Sequence, residues 1–346
     1  MTGETESRKL DHIMICTEKD VQSQKSTLFE CVDFLDGPKF LSEPDLDCST
    51  TFFKKKLNYP IIIAGMTGGV ADAEQINKNL AQAAEELGLG FGLGSQRAML
   101  ENPTLKKTYE VRDIAPNVLL LGNIGAAQLS EYSQEQIENL ALTVGANVLA
   151  VHLNSIQEKI QPEGNLPDID YSEKVKQLCS SVKLPVILKE TGMGISSKDA
   201  HSFRESGIAG IDVGGAGGTS FARVELERGG NGEFHNLENS GIPTAASILE
   251  VRKVFPNIPI IATGGIRTGF DVAKSIALGA DVAGIALPLL KPAQESTEAV
   301  VGKLEKIIED LKKAMISSNS PTVSDLKADK ININGELLEW VENLKN

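Results

Sequence analysis

Lys189 closes the apolar run Val186-Ile187-Leu188, where a buried strand meets solvent. At such an edge an ammonium can hold negative charge on an electron-rich ring, or its free amine can form a Schiff base. A solvated strand-end lysine is the plain alternative. His152 and Asn154 follow the apolar stretch 147–151 two residues apart, so on an extended segment both face one side. Gln157-Glu158 comes directly after. Glu158 is the best single metal candidate, because magnesium takes one or two carboxylates and completes its shell with water and substrate phosphates. No His/Cys cluster supports zinc or iron. The basic pair Arg8-Lys9 precedes Leu10-Asp11-His12-Ile13 and, taken alone, reads as solvated.

Glycine-rich segments carry a second message. Gly214-Gly215-Ala216-Gly217-Gly218-Thr219-Ser220, Gly264-Gly265-Ile266-Arg267 and Ala286-Leu287-Pro288 each follow a short apolar run. Glycines let backbone N–H groups approach a phosphate closely, and a helix starting just beyond adds a favourable dipole. Thr219 and Ser220 add hydroxyl donors. The pattern G-x-x-x-x-G-K-[ST] is absent, and Gly90-Phe91-Gly92-Leu93-Gly94 misses the dinucleotide fingerprint spacing. A phosphate-bearing cofactor seated in a barrel is therefore favoured over a nucleotide on an open sheet.

These residues need a scaffold that brings them to one place. From residue 60 onward, apolar runs at 61–64, 89–93, 118–121, 147–151, 185–188, 209–213, 259–262 and 281–285 read as strands buried on both faces. Between them, 72–87, 134–144, 170–182, 198–206, 245–255, 270–278 and 294–315 have helical periodicity, and 96–117 holds a further helical stretch. Eight strand–helix units favour a TIM (β/α)8 barrel over an open doubly wound sheet, which counting alone does not exclude; the barrel commonly needs about 250 residues and gathers its chemistry at the C-terminal strand ends. All the residues singled out above, Arg8-Lys9 excepted, fall at those ends. The barrel spans 58–316. Residues 1–57 form an N-terminal extension with little clear periodicity, and 317–346 a C-terminal tail with a possible short strand at 331–333.

The 346 residues carry a net charge of −13, which argues against a nucleic-acid partner but not against a small anion held by a few local cations. No run approaches a membrane span, and the polar N-terminus does not read as a signal peptide, so a cytoplasmic protein is expected. The four cysteines are scattered and read as reduced structural thiols.

The ordered series "RKLDHI", "MTGG", "GSQR", "HLNSIQE" followed by "PEG", "LKETGMGIS", "GGAGGTSF", "SGIPTAAS" and "GGIRTGFDVAKSIALGAD" resembles the type 2, FMN-dependent isopentenyl-diphosphate delta-isomerases. The likeness runs from Arg8 to the tail "INGELLEWV". It implies that reduced FMN and Mg2+ interconvert isopentenyl and dimethylallyl diphosphate by a 1,3-proton shift in isoprenoid biosynthesis, with NADPH or another reductant reducing the flavin. It further implies that FMN contacts Gly65, Met66, Thr67, Ser95, Asn123, Lys189, Thr219, Gly264, Gly265, Ile266, Ala286 and Leu287. The prenyl diphosphate would be bound by Arg8, Lys9, Ser95, Arg97, His152, Asn154 and Gln157, with Gln157, Lys189 and His152 as the catalytic set and Glu158 on the metal. On this resemblance Arg8-Lys9 joins the site. A homotetramer or homo-octamer is implied as well. Two positions depart from the family pattern: Asn165 stands where an aspartate is usual, and Ser240 where a tryptophan commonly precedes "GIPT".

Other flavin barrels fit less well. A 2-hydroxy-acid oxidoreductase wants a His-Gly-Gly-Arg run, which is absent. An IMP-dehydrogenase-like enzyme wants a nucleophilic cysteine after the sixth strand, where this chain has glycines, Ala216, Thr219 and Ser220. A non-catalytic flavin or phosphate binder would not need Lys189, Gln157 and Glu158 together.

Overall fold

Eight short strands pair in parallel and close into a barrel: β1 Ile61–Ile63, β2 Gly90–Gly92, β3 Leu119–Gly125, β4 Val148–His152, β5 Val186–Lys189, β6 Gly210–Asp212, β7 Ile260–Ala262 and β8 Val282–Ile285. In the computed structural model, residues 2–35, 41–160, 170–230 and 232–345 are described. Every strand residue is buried except His152 and Lys189, the last residues of β4 and β5. Strands covered inside by side chains and outside by helices have no polar face to offer, which is why the eight runs are legible as apolar.

Two cores result. Ile62, Leu119, Leu121, Val148, Ala150, Ile187, Ile261 and Val282 fill the barrel interior, and a larger cluster lies between strands and helices. The interior is stoppered at the N-terminal strand ends by an antiparallel hairpin, Thr50–Phe52 with Lys55–Leu57, whose Phe52, Phe53 and Leu57 join the inner cluster. Phe52 and Phe53 meet edge to face at 4.8 Å. With that end closed, the barrel interior opens at the C-terminal mouth.

Two expectations need adjustment and a third is met. The N-terminal extension is not featureless: Thr2–Glu18 is a 17-residue helix lying over the barrel mouth against the elements Arg97–Glu101, Phe221–Glu227 and Leu287–Glu295. Its amphipathicity is weak because the inward face carries Lys9 and His12 as well as Ile13, so an apolar count misses it. The helix expected at 294–315 is Thr297–Ser317, and a further helix, Leu287–Glu295, precedes it; Ser296 separates the two, and its side-chain hydroxyl caps the second by accepting from Ala299 N–H. The short strand Ile331–Ile333 exists, and it pairs antiparallel with Val32–Phe34, tying the two chain ends together. Among the described residues no helix is long and apolar enough to cross a membrane.

Removing the stopper's ring should loosen the barrel. Phe52→Ala is expected to lower stability by about 3–5 kcal/mol, read as a shift in the urea midpoint. Lys56→Ala on the exposed side of the same hairpin should cost less than about 1 kcal/mol.

Candidate active site

Parallel pairing sets Gly125, His152, Lys189 and Asp212 side by side across β3 to β6. Residues in register on adjacent strands point to the same face, so these three side chains enter the mouth in one layer. Lys189 Nζ donates to Asp212 Oδ2 and to the Glu190 carbonyl, both at 2.9 Å. Asp212 is buried and its other oxygen accepts from Thr263 Oγ1 at 2.5 Å and from the Gly214 N–H at 3.3 Å. A half-buried ammonium thus has a carboxylate, and that buried carboxylate has its own donors, which taking such a pair out of water requires. His152 Nδ1 lies 2.7 Å from Asn123 Oδ1, and Asn123 is fixed by Gln96 from behind. Burial first, then the charges of Lys189, Lys9 and Arg8, push the imidazole down to about 3, so it is neutral.

The N-terminal helix supplies the roof. Lys9 is buried, with Nζ donating to the Ser95 carbonyl at 2.8 Å and to Tyr109 Oη at 3.2 Å. Burial, followed by the charge of Arg8, pulls its ammonium down to about 7. Arg97 is aligned by Glu101 at 2.7 Å. One turn on, His12 Nε2 meets Glu225 Oε1 at 2.8 Å and its ring stands edge-on to Phe221. The same oxygen accepts from Gln157 Nε2 at 2.8 Å, and Glu225 Oε2 accepts from Arg228 at 2.8 Å. Burial raises the Glu225 pKa, but the His12 and Gln157 hydrogen bonds and the charges of His12 and Arg228 outweigh it, and the net direction is down. Asn154 Nδ2 donates to Gln157 Oε1 at 3.2 Å, so both ends of the Gln157 amide are spoken for and its orientation is set. Asn154 is not extended: its φ of 33° places it in the left-handed region, yet it and His152 still line the same cavity.

Across the mouth, the loops after β6 and β7 pack backbone to backbone. A Cβ on Gly218 would lie 2.4 Å from the Gly265 nitrogen, and one on Gly264 would lie 2.0 Å from the Gly215 carbonyl oxygen. Gly264 and Gly265 have φ of 103° and 75°, open to glycine without strain. Among the described residues, the N–H groups of Gly264, Gly265 and Ile266 make no hydrogen bond. The helix Leu287–Glu295 starts beside them with no side-chain cap at Ala286. Free donors at a concave turn beside an uncapped helix start make a cup for a phosphate.

All twelve residues expected to touch FMN and all seven expected to touch the diphosphate line this one cavity, which holds about 240 Å3 for a water-sized sphere. Glu158 lies on the helix Ser155–Ile160, but its side chain is outside the described residues, as is the whole segment 161–169 with Asn165. Among the described residues no group of three or more His, Cys, Asp or Glu could hold a metal. Ser240, the other departure, lines a small cavity behind Gln157 and Asn154. Sequence reasoning missed Glu225, Asp212, Thr263, Tyr109 and Gln96. A charge inside the apolar run 209–213 was a usable signal for Asp212; the others carry none, since, the Glu225–Arg228 pair aside, their side-chain partners lie 14 to 213 residues away.

The family model for FMN-dependent dehydrogenases matches residues 126–333. A Methanosarcina barkeri protein named isopentenyl-diphosphate delta-isomerase is 42% identical, over 99% of this chain and 95% of its own. Proteins of the same name from Methanococcus maripaludis and Archaeoglobus fulgidus are 43% and 42% identical, over 98% of this chain and 98% and 99% of theirs. Among solved structures, a flavocytochrome b2 variant aligns with a TM-score of 0.70 at 14% identity, over 95% of this chain and 83% of that one. A mandelate oxidase variant aligns at 0.65 and 17%, over 96% and 98%. At such identities these structures share the fold alone.

Glu225 should anchor the roof helix. In Glu225→Leu, loss of its charged hydrogen bonds is expected to speed hydrogen exchange in Thr2–Glu18 by about tenfold or more, from roughly 1.5–3 kcal/mol per bond. Its folded pKa is depressed, so its contribution is complete above the unfolded carboxylate value of about 4.3 and is lost as pH falls through the folded value. Proteolytic protection of the helix should therefore weaken in acid in the natural chain and be insensitive to that change in the variant.

Proposed function

The chain belongs to the isopentenyl-diphosphate delta-isomerase family, and from that premise we propose that it interconverts isopentenyl and dimethylallyl diphosphate with reduced FMN and Mg2+, within isoprenoid biosynthesis. One observation carries the reading: a single barrel mouth has two anion-holding ends. A glycine cup sits over β6 to β8 and a cluster of Arg8, Lys9 and Arg97 over the β2 to β4 side, with Lys189 between them on β5. A flavin mononucleotide needs one phosphate seat and a prenyl diphosphate needs another.

The residues fit the cofactor. Gly264, Gly265, Ile266 and the Leu287 helix start would hold the FMN phosphate with Thr219, while Gly65, Met66, Thr67, Ser95, Asn123, Ala286 and Lys189 would border the ring. A Cβ on Gly65 would fall 2.1 Å from the Leu93 carbonyl oxygen, so backbone alone forms the wall there. Reduced FMN, when bound, supplies an electron-rich ring that carries a proton and offsets positive charge on a protonated alkene. The protein's own part is orientation. Arg8, Lys9, Arg97, His152 and Asn154 pin the diphosphate. Gln157, held by Asn154 and Glu225, is presented rigidly beside the five-carbon tail. Ile13, Phe221 and Leu290 keep water from that tail. Glu158 would hold Mg2+ together with substrate phosphate oxygens, NADPH or another reductant would reduce the flavin, and a homotetramer or homo-octamer is the assembly to look for.

The purified protein should be yellow with a flavin visible spectrum. After reduction under anaerobic conditions with Mg2+, it should convert isopentenyl diphosphate without net redox change. A colourless protein that takes up no FMN ends this proposal. Lys189→Ala and Gln157→Ala should each lower turnover on the order of 100-fold or more. Near-normal turnover in Gln157→Ala would remove that residue's role.

A further inference from the structure

The hydrogen bonds around His152 fix where its proton sits. Asn123 Nδ2 donates at 3.0 Å to the Leu93 carbonyl, which can only accept, so the amide has one orientation. Asn123 Oδ1 therefore faces His152 Nδ1 at 2.7 Å, and the imidazole must be the donor. The Leu93 carbonyl holds the amide, and the main chain beneath it is fixed by the Asn123 N–H donating at 3.0 Å to Gln96 Oε1, whose Nε2 donates to the Leu140 carbonyl at 3.2 Å. Among the described residues nothing hydrogen-bonds His152 Nε2, and the ring lines the cavity.

A neutral imidazole with its proton on Nδ1 offers the cavity a bare lone pair. A phosphate oxygen offers another, and two lone pairs repel unless a proton lies between them. The charged groups facing the ring are Lys189 on β5, paired to Asp212 on β6, and Lys9 and Arg8 on the roof helix. Burial first, then these cations, keep the ring neutral; an arriving polyanion opposes both. Resting on the reading of the basic end as a diphosphate site, we propose that His152 is a proton-dependent anion ligand, so that diphosphate binds together with a proton placed between His152 Nε2 and a phosphate oxygen. The proton is taken from solvent, the Asn123 bond stays intact, and the ring becomes an imidazolium donating at both nitrogens.

Lys9 adds to the same uptake. Its partners, the Ser95 carbonyl and Tyr109 hydroxyl, are neutral; Arg8 and Arg97 oppose its charge and Glu101 favours it. A diphosphate beside it draws a proton onto it as well, so the His152 contribution must be isolated by difference.

Calorimetry of methyl diphosphate, a monoester whose phosphates are deprotonated at about pH 8, binding to the FMN-loaded protein in buffers of different ionisation enthalpy counts the protons drawn from solvent. The natural chain should take up roughly one proton more than His152→Gln. Equal counts overturn the proposal. Should the variant fold poorly, 15N NMR of the histidine-labelled natural chain serves instead, with four histidines to assign. His152 should show N–H at Nδ1 alone at rest and at both nitrogens with methyl diphosphate; a ring unchanged by bound methyl diphosphate overturns it equally. Failure of methyl diphosphate to bind at all removes the diphosphate site and this inference with it, whereas binding without the extra proton removes the inference alone.

Discussion

Lys189 and Asp212 are neighbours because β5 and β6 pair in parallel register, and the rest of the mouth is arranged around keeping their charges stable out of water. A buried ammonium without a counter-ion gives up its proton, and a buried carboxylate without donors takes one. Here Asp212 answers Lys189, while Thr263 from β7 and the Gly214 N–H answer Asp212. One ion pair thereby ties three adjacent strands at their open ends. It also holds a cation at the middle of the mouth, where the electronics of a bound ring can feel it.

The same register places His152 next to Lys189, and the consequence there is opposite. Burial first, then the cations around it, keep the imidazole uncharged, with a neutral amide behind it. Two neighbouring side chains of one layer thus meet different partners, one a carboxylate and the other an amide. The roof helix extends this division. Lys9 is set on neutral acceptors, and His12 on a carboxylate shared with Gln157 and Arg228. Glu225 is thus a hub joining the roof to the residue proposed to sit beside the alkene.

The structures of flavocytochrome b2 and mandelate oxidase share this barrel, and a likeness of that kind leaves the chemistry open. What separates the chains is the set of side chains at the strand ends. This one lacks a His-Gly-Gly-Arg run and instead brings a basic roof helix and an amide, Gln157, to the mouth. The family relation to the archaeal isomerases, close to full length on both sides, agrees with that difference.

By itself the sequence determined the eight strands, the end of the barrel at which chemistry collects, and the glycine cup, because each rests on local pattern: apolar runs, strand-end polar residues, and turns that only glycine enters easily. It also carried the family motifs, and through them the residues of the cavity. It did not reveal the roof helix, since a helix whose inward face mixes Lys9 and His12 with Ile13 has no clean apolar stripe to read. Nor did it reveal Glu225, Tyr109 or Gln96, whose roles exist only through partners far along the chain. Protonation states were decided by tertiary structure alone, because a charge's stability depends on what else is buried beside it, and strand register, not sequence spacing, chooses those neighbours.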